Sequence, residues 1–258
     1  MTSALVRQLL EAGVHFGHQT KRWNPKMRPF IFGNRAGIHI IDLEKTEQHL
    51  QSAIDFLEEV ASKGHLVLFV GTKKQAKPIL EAEAKRAGMP YVVNRWLGGT
   101  MTNFQTIKQN IDRLLELRKQ KTDGFFERIS KKDAKRLSRQ LERLEESFCG
   151  LAEMDRLPGC LFIVDTKRED ITVKEANRLN IPVVAICDTN ANPDVIAHPI
   201  PGNDDAIRSI KLITALAVEA VIAGRRRWMV EQQPVVPAAA TTETEGEAAP
   251  APSTEAAS

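Results

Sequence analysis

Apolar and polar positions alternate between two periods along most of this chain. HLVLFV (65–70), MPYVV (89–93), CLFIV (160–164) and IPVVAIC (181–187) are short, nearly continuous apolar runs. Each is bounded by Gly, Pro or Asp, which suits strands buried on both faces, as in a parallel sheet. Between them the period lengthens to that of helices. Leu50, Ile54, Leu57 and Val60 keep helical spacing in a helix from about Glu44 to Ala61 that Asp42 can cap. Further helices are predicted at 4–12, 73–87, 170–179 and from about Asp204 to Ala223. Strand and helix alternate at short intervals, which predicts βαβ units and a parallel sheet covered on both faces.

Two segments break that rhythm. Residues 103 to 155 hold no strand candidate, while Leu137, Leu141, Leu144 and Phe148 follow heptad spacing. Two antiparallel helices turning at KTDGFFERIS account for this. The other exception is Gly13 to Leu43, which has no sustained period and reads as an ordered loop. Its first part is free of acids from Ala12 to Arg35, yet carries Lys21, Arg22, Lys26, Arg28 and Arg35, with Phe16, Trp23, Phe30 and Phe32 interleaved. Cations and rings in that mixture suit a phosphate-rich partner, the cations on phosphates and the rings as anchors or stacking surfaces. A solvated basic loop with its aromatics in the core reads equally well from composition alone.

Composition sharpens this picture. The net charge is +3, but the segment from Glu231 to Ser258 has five acids and no Lys or Arg, leaving +8 on the first 230 residues. The Ala/Pro/Thr/Glu tail at 230–258 cannot bury a core and is expected to be disordered. The three cysteines show no paired spacing, so reduced thiols in a reducing compartment are expected. No signal peptide and no membrane span is expected.

Candidate chemistry is sparse. Gly71 and Thr72 in VGTKKQA sit at a strand-to-helix turn, but the segment is neither GxxxxGK[ST] nor GxGxxG. A tight turn with Lys73, Lys74 and Lys77 facing solvent or RNA is expected there. Asp165 and Asp188 end two predicted strands, and Asp204 and Asp205 follow at a helix start. Such carboxylates could hold Mg²⁺, but Asp is favoured at N-caps and in turns such as DTNANPD, so capping and turn chemistry is the expected reading. A Mg²⁺-dependent phosphoryl-transfer enzyme is the rival class they raise, yet no nucleophile–base–orienter set accompanies them. His15 and His18 in HFGH are half a zinc set, with no Cys nearby to complete it.

The wording of five segments carries a resemblance. HFGHQTKRWNPKMRPFIFGNRAGIHIIDLEKT, VLFVGTKKQA (67–76), RWLGGTMTNFQTI (95–107), IPVVAICDTNANPD (181–194) and IPGNDDAIRSI (200–210) resemble, in order, the signatures of the bacterial small-subunit ribosomal protein two family. The resemblance implies a Rossmann-like (flavodoxin-like) three-layer α/β/α fold with a mainly parallel sheet and an inserted α-helical coiled-coil hairpin. Residues 1–102 and 155–229 would form the globular domain and 103–154 the hairpin. It implies a non-enzymatic structural constituent of the small subunit, cytoplasmic, without cofactor, metal or membrane and not a homo-oligomer. Its partners would be ribosomal RNA and neighbouring ribosomal proteins, including the OB-repeat ribosomal protein one. RNA contacts would fall on Lys21, Arg22, Trp23, Asn24, Lys26, Arg28 and Arg35 in the loop, and on Arg95, Trp96 and Asn103 around LGGT.

Overall fold

The computed structural model describes residues 3–231. At its centre is a five-stranded parallel sheet of β4 (Val67–Val70), β5 (Tyr91–Val92), β6 (Cys160–Val164), β7 (Val183–Cys187) and β8 (His198–Pro201), in the order β5-β4-β6-β7-β8. The apolar runs are continuous because alternate residues serve different cores. Val67 and Phe69 join Phe162 and Val164 in one apolar cluster, with α2 (Leu43–Ser62), α3 (Lys77–Ala87) and α8 (Ile207–Glu231). Leu68, Val70, Leu161 and Ile163 face the opposite side, with α7 (Asp170–Arg178) and α4 (Phe104–Thr122). This is the three-layer α/β/α arrangement expected from the sequence. β8 went unpredicted because HPIP carries two prolines, which edge strands tolerate and central strands do not.

On the first layer, α1 (Ala4–Glu11) starts at Ser3, whose Oγ accepts from the Val6 N–H at 3.1 Å. The main contact there is between α2 and α8. At Gly224 a Cβ would lie 2.3 Å from the Glu58 carbonyl oxygen and 2.8 Å from the Ala61 Cβ. Gly224→Ala should therefore force the two helices apart, at about 2 kcal/mol for overpacking. That outweighs the ~1 kcal/mol alanine adds to helix propensity. A net loss of about 1 kcal/mol in urea unfolding is expected, and an unchanged or higher midpoint would contradict this packing.

The second layer carries the helical pair. α4 and α6 (Lys131–Phe148) are joined through α5 (Phe125–Arg128), a single helical turn within the KTDGFFERIS turn expected between them. Gly124 enables it at φ +71°. Leu141 and Phe148 are buried, and Leu137 and Leu144 pack against the cluster that holds Ile111, Leu114 and Leu117 of α4. Arg118 Nε reaches Glu145 Oε1 across the pair at 3.1 Å. α8 runs to Glu231, past the expected domain limit at 229, and the rest of the predicted tail lies outside the described residues. Cys160 and Cys187 are buried free thiols, pushed up to about 12 by that burial, whereas Cys149 is exposed.

Candidate nucleic-acid interface

The basic segment is not a loop but a small antiparallel sheet, ordered β1-β3-β2, from β1 (Phe16–Gln19), β2 (Ile31–Arg35) and β3 (Ile38–Ile41). β2 and β3 are linked by Ala36 and Gly37, both at positive φ (52° and 77°), with Arg35 facing Ile38. That is the geometry of a two-residue hairpin turn usually written Asn-Gly. Ala in the first position hid the signal in the sequence. Between β1 and β2 the chain forms two 3₁₀ segments, Thr20–Arg22 and Pro25–Phe30, the second opened by Asn24, whose Oδ1 accepts from the Lys26 N–H at 3.0 Å.

The segment is fastened to the C-terminal edge of the parallel sheet. Asn24 N–H donates to the Thr189 carbonyl at 2.8 Å, and His18 N–H to Thr189 Oγ1 at 2.9 Å. Gly17 passes so close that a Cβ would meet Thr189 Cγ2 at 2.6 Å. Met27 is fully buried beneath it. Trp23 lies against His39 and Phe30 edge-on to His49, both at 5.1 Å between centroids. Phe32 does not anchor the segment as expected: it is 81% exposed. Lys21, Arg22, Arg28 and Arg35 are exposed and, among the described residues, none lies within 4.0 Å of a carboxylate. Lys26 pairs with Asp194 at 2.5 Å.

Around LGGT the organiser is a residue that sequence reading missed, Glu175 of α7. Its Oε1 accepts from Gly99 N–H (2.7 Å) and Trp96 Nε1–H (3.1 Å). Its Oε2 accepts from the N–H groups of Met101 and Thr102 (3.1 Å each) and from Thr102 Oγ1 (3.2 Å). Burial alone would raise the Glu175 pKa, but these donors hold it below the usual carboxylate range. Trp96 is buried in this nest, whereas Arg95 and Asn103 are exposed on either side of it. A Glu in an amphipathic helix carries no sequence signal that it will point inward.

Where strand order reverses, between β4 and β6, open α/β sheets commonly take a ligand phosphate. Here that place is filled from within. Glu169 Oε1 accepts from Thr72 N–H (3.1 Å) and Thr72 Oγ1 (2.6 Å), and Arg168 Nε donates to the same hydroxyl at 2.8 Å. The backbone N–H that a phosphate would need already serves a carboxylate.

Beside it the four aspartates converge. Lys73, expected to face solvent or RNA, turns inward to Asp205 Oδ1 (2.6 Å), Asp204 Oδ1 (2.8 Å) and Asp165 Oδ2 (3.3 Å). Burial would lower its pKa, but these carboxylates raise it. His18 Nδ1 lies 2.9 Å from Asp188 Oδ2. The turn just before α8 is made by Asn203 rather than by an aspartate: its Oδ1 accepts from the N–H groups of Asp205 (2.7 Å) and Ala206 (2.8 Å). Among the described residues, His18, Asp188 and Asp204 offer ligand atoms within 4.8 Å of one another, close enough to share an ion. Lys73 already brings positive charge to that place.

Two groups here make stability depend on pH. Burial, with Asp165 and Asp188 nearby, pushes Asp204 up to about 7 against the pull of Lys73. The hydrogen bond to Asp188 raises His18. Both groups bind protons more tightly folded than unfolded. The stabilising proton on His18 is fully in place below its ordinary value of 6.5 and is lost as pH rises through the folded value. The penalty from ionising Asp204 grows as pH rises to about 7. Urea midpoints are expected to fall between pH 6 and pH 8, by an amount on the order of 1 kcal/mol in stability. Asp204→Asn should flatten that slope, and a midpoint rising with pH would contradict the arrangement.

Fold and site thus define a Rossmann-like α/β scaffold with its own carboxylates in the ligand crevice and a basic antiparallel sheet fastened to the strand ends. The family model described as Ribosomal protein S2 matches residues 9–224. The small ribosomal subunit protein uS2 of Dictyoglomus turgidum is 57% identical over 225 residues, covering 87% of this chain and 92% of the relative. That of Sorangium cellulosum is 57% identical over 222 residues (86% and 80%), and that of Coprothermobacter proteolyticus 51% over 225 residues (87% and 84%). The chain belongs to the ribosomal protein S2 family, a structural family of the small ribosomal subunit and not an enzyme family. Among the described residues no helix is long and apolar enough to cross a membrane.

Proposed function

We propose that the chain binds small-subunit ribosomal RNA through the basic antiparallel sheet and holds neighbouring ribosomal proteins, the OB-repeat ribosomal protein one among them, on other faces. The observation that supports this most is the set of four exposed cations that have no carboxylate partner among the described residues, Lys21, Arg22, Arg28 and Arg35. An exposed cation can neutralise a phosphate, and each such contact releases counterions. Lys26 would join them by exchanging Asp194 for phosphate. Asn24 and Trp23 would shape the segment rather than grip RNA. Arg95 and Asn103 would add contacts beside the Glu175 nest, with Trp96 as its internal support. Residues 103–154 would act as an inserted unit reaching further RNA or protein, since twelve Lys or Arg face eight Asp or Glu from Lys108 to Ser147.

The test is the salt dependence of binding between the full chain and small-subunit ribosomal RNA. Affinity should fall steeply with salt, by about three to four log units per log unit of salt if all four cations engage. Binding that is indifferent to salt, or no binding at all, would contradict the reading. Ribosome association in the cytoplasm is the setting it requires.

A further inference from the structure

We propose that the acidic segment following α8 seats its carboxylates on the chain's own basic sheet and competes there with RNA, an inference that rests on the RNA-binding reading above and names what regulates that surface. The segment 232–258 holds Glu243, Glu245, Glu247 and Glu255 and no Lys or Arg. It lies outside the described residues, but α8 fixes where it begins. α8 starts beside the basic sheet, since Asp205, just before it, lies 3.7 Å from His18 Nε2. Its 25 residues then run about 37 Å to the opposite edge of the parallel sheet, where Trp228 packs against Gly64 ahead of β4.

Near that end the cations are largely taken. Lys63 pairs with Glu59 and Lys85 with Glu81, each at 2.6 Å. Arg227 pairs with Glu58, and Arg225 Nη1 donates to the Ala87 carbonyl at 2.7 Å. Arg226 is exposed with no carboxylate within 4.0 Å among the described residues, but one cation does not balance four carboxylates. The basic sheet does. Lys21, Arg22, Arg28 and Arg35 have no carboxylate partner among the described residues, and no acid interrupts the sequence from Ala12 to Arg35. The helical pair offers less contrast, because its twelve cations from Lys108 to Ser147 are set among eight acids. Twelve residues separate Glu231 from Glu243, enough to span about 40 Å when extended, and Glu245, Glu247 and Glu255 have slack beyond that. Pro250 and Pro252 lie between the last two. The exposed Phe32 offers them a ring, the contact by which proline-rich segments settle on aromatic surfaces. Tethering gives the segment a local concentration on the order of millimolar, so a weak contact suffices to occupy the sheet part of the time. Affinity for RNA then falls by the fraction of sheet left open.

The experiment compares the natural full chain with a full chain carrying Glu243→Gln, Glu245→Gln, Glu247→Gln and Glu255→Gln, which keeps the length and changes no described residue. At low salt the variant should bind small-subunit ribosomal RNA about threefold more tightly. That difference should shrink as added salt screens the contact. The same four changes should have no effect once Lys21, Arg22, Arg28 and Arg35 are alanine. An effect that persists there would be long-range repulsion between the segment and RNA, and would overturn the contact. Carbodiimide coupling of the natural chain should join these glutamates to Lys21 or Lys26 within single chains. Equal RNA binding by both chains, without those links, would overturn the contact and leave the RNA reading standing. Links only to lysines of α4 and α6 would move the segment to the helical pair, and links only between chains would give the face to a second copy. Either result overturns the assignment to the chain's own basic sheet. Failure of both chains to bind RNA would overturn the RNA reading, and the competition with it.

Discussion

Glu175→Ala is expected to destabilise the fold by about 3–5 kcal/mol, because several N–H donors would lose their acceptor at roughly 1–3 kcal/mol for each that stays buried. The carboxylate is buried and accepts from Trp96, Gly99, Met101 and Thr102. Truncation leaves those donors facing a void, with no water-exposed route for the Trp96 and Met101 groups. Glu175→Gln should fare only partly better. Its amide NH₂ would point a donor at the donors now bound to one carboxylate oxygen. Urea unfolding of both variants provides the check. A loss below about 1 kcal/mol for alanine, the worth of a single ordinary hydrogen bond, would mean that the nest is held by something else. The loss should also bear on function, since Arg95 and Asn103 stand on either side of this turn.

The second large effect is on binding. Replacing Lys21, Arg22, Arg28 and Arg35 together by alanine should remove about three to four log units from the salt slope of RNA binding. Near physiological salt this amounts to a loss of several hundredfold or more. Stability should hardly move, because these side chains are exposed and without carboxylate partners among the described residues. Equilibrium binding across a salt series, with urea unfolding alongside, separates the two. A variant that unfolds early, or that binds with an unaltered slope, would contradict the assignment of these cations to phosphate.

The sheet was legible in the sequence because its strands are buried on both faces. VLFV and CLFIV have no polar alternative to sit anywhere else, and their flanking Gly and Asp mark the ends. The basic sheet was not legible. Pro25, Pro29 and three glycines suppress both periods, and its hairpin turns on Ala36 at a positive φ that alanine rarely adopts. The cations could be picked out because they need no fold to be counted. The inward turn of Lys73 could not, since a lysine after GT reads as solvent-facing until Asp165, Asp204 and Asp205 are brought around it. Glu169 and Glu175 were missed for the same reason. Each sits in or beside an ordinary helix, and only the tertiary fold shows which carboxylate meets the orphan N–H groups of a distant turn.

A structural constituent of the small subunit stays with that particle. Sedimentation of a lysate through a salt-containing gradient, with every fraction probed for the chain, measures whether this one does. The chain should travel with the small subunit in a one-to-one ratio and leave little at the top. A chain that remains mainly in the light fractions would contradict the account, and the cluster of His18, Asp188 and Asp204 would then be the place to seek another role.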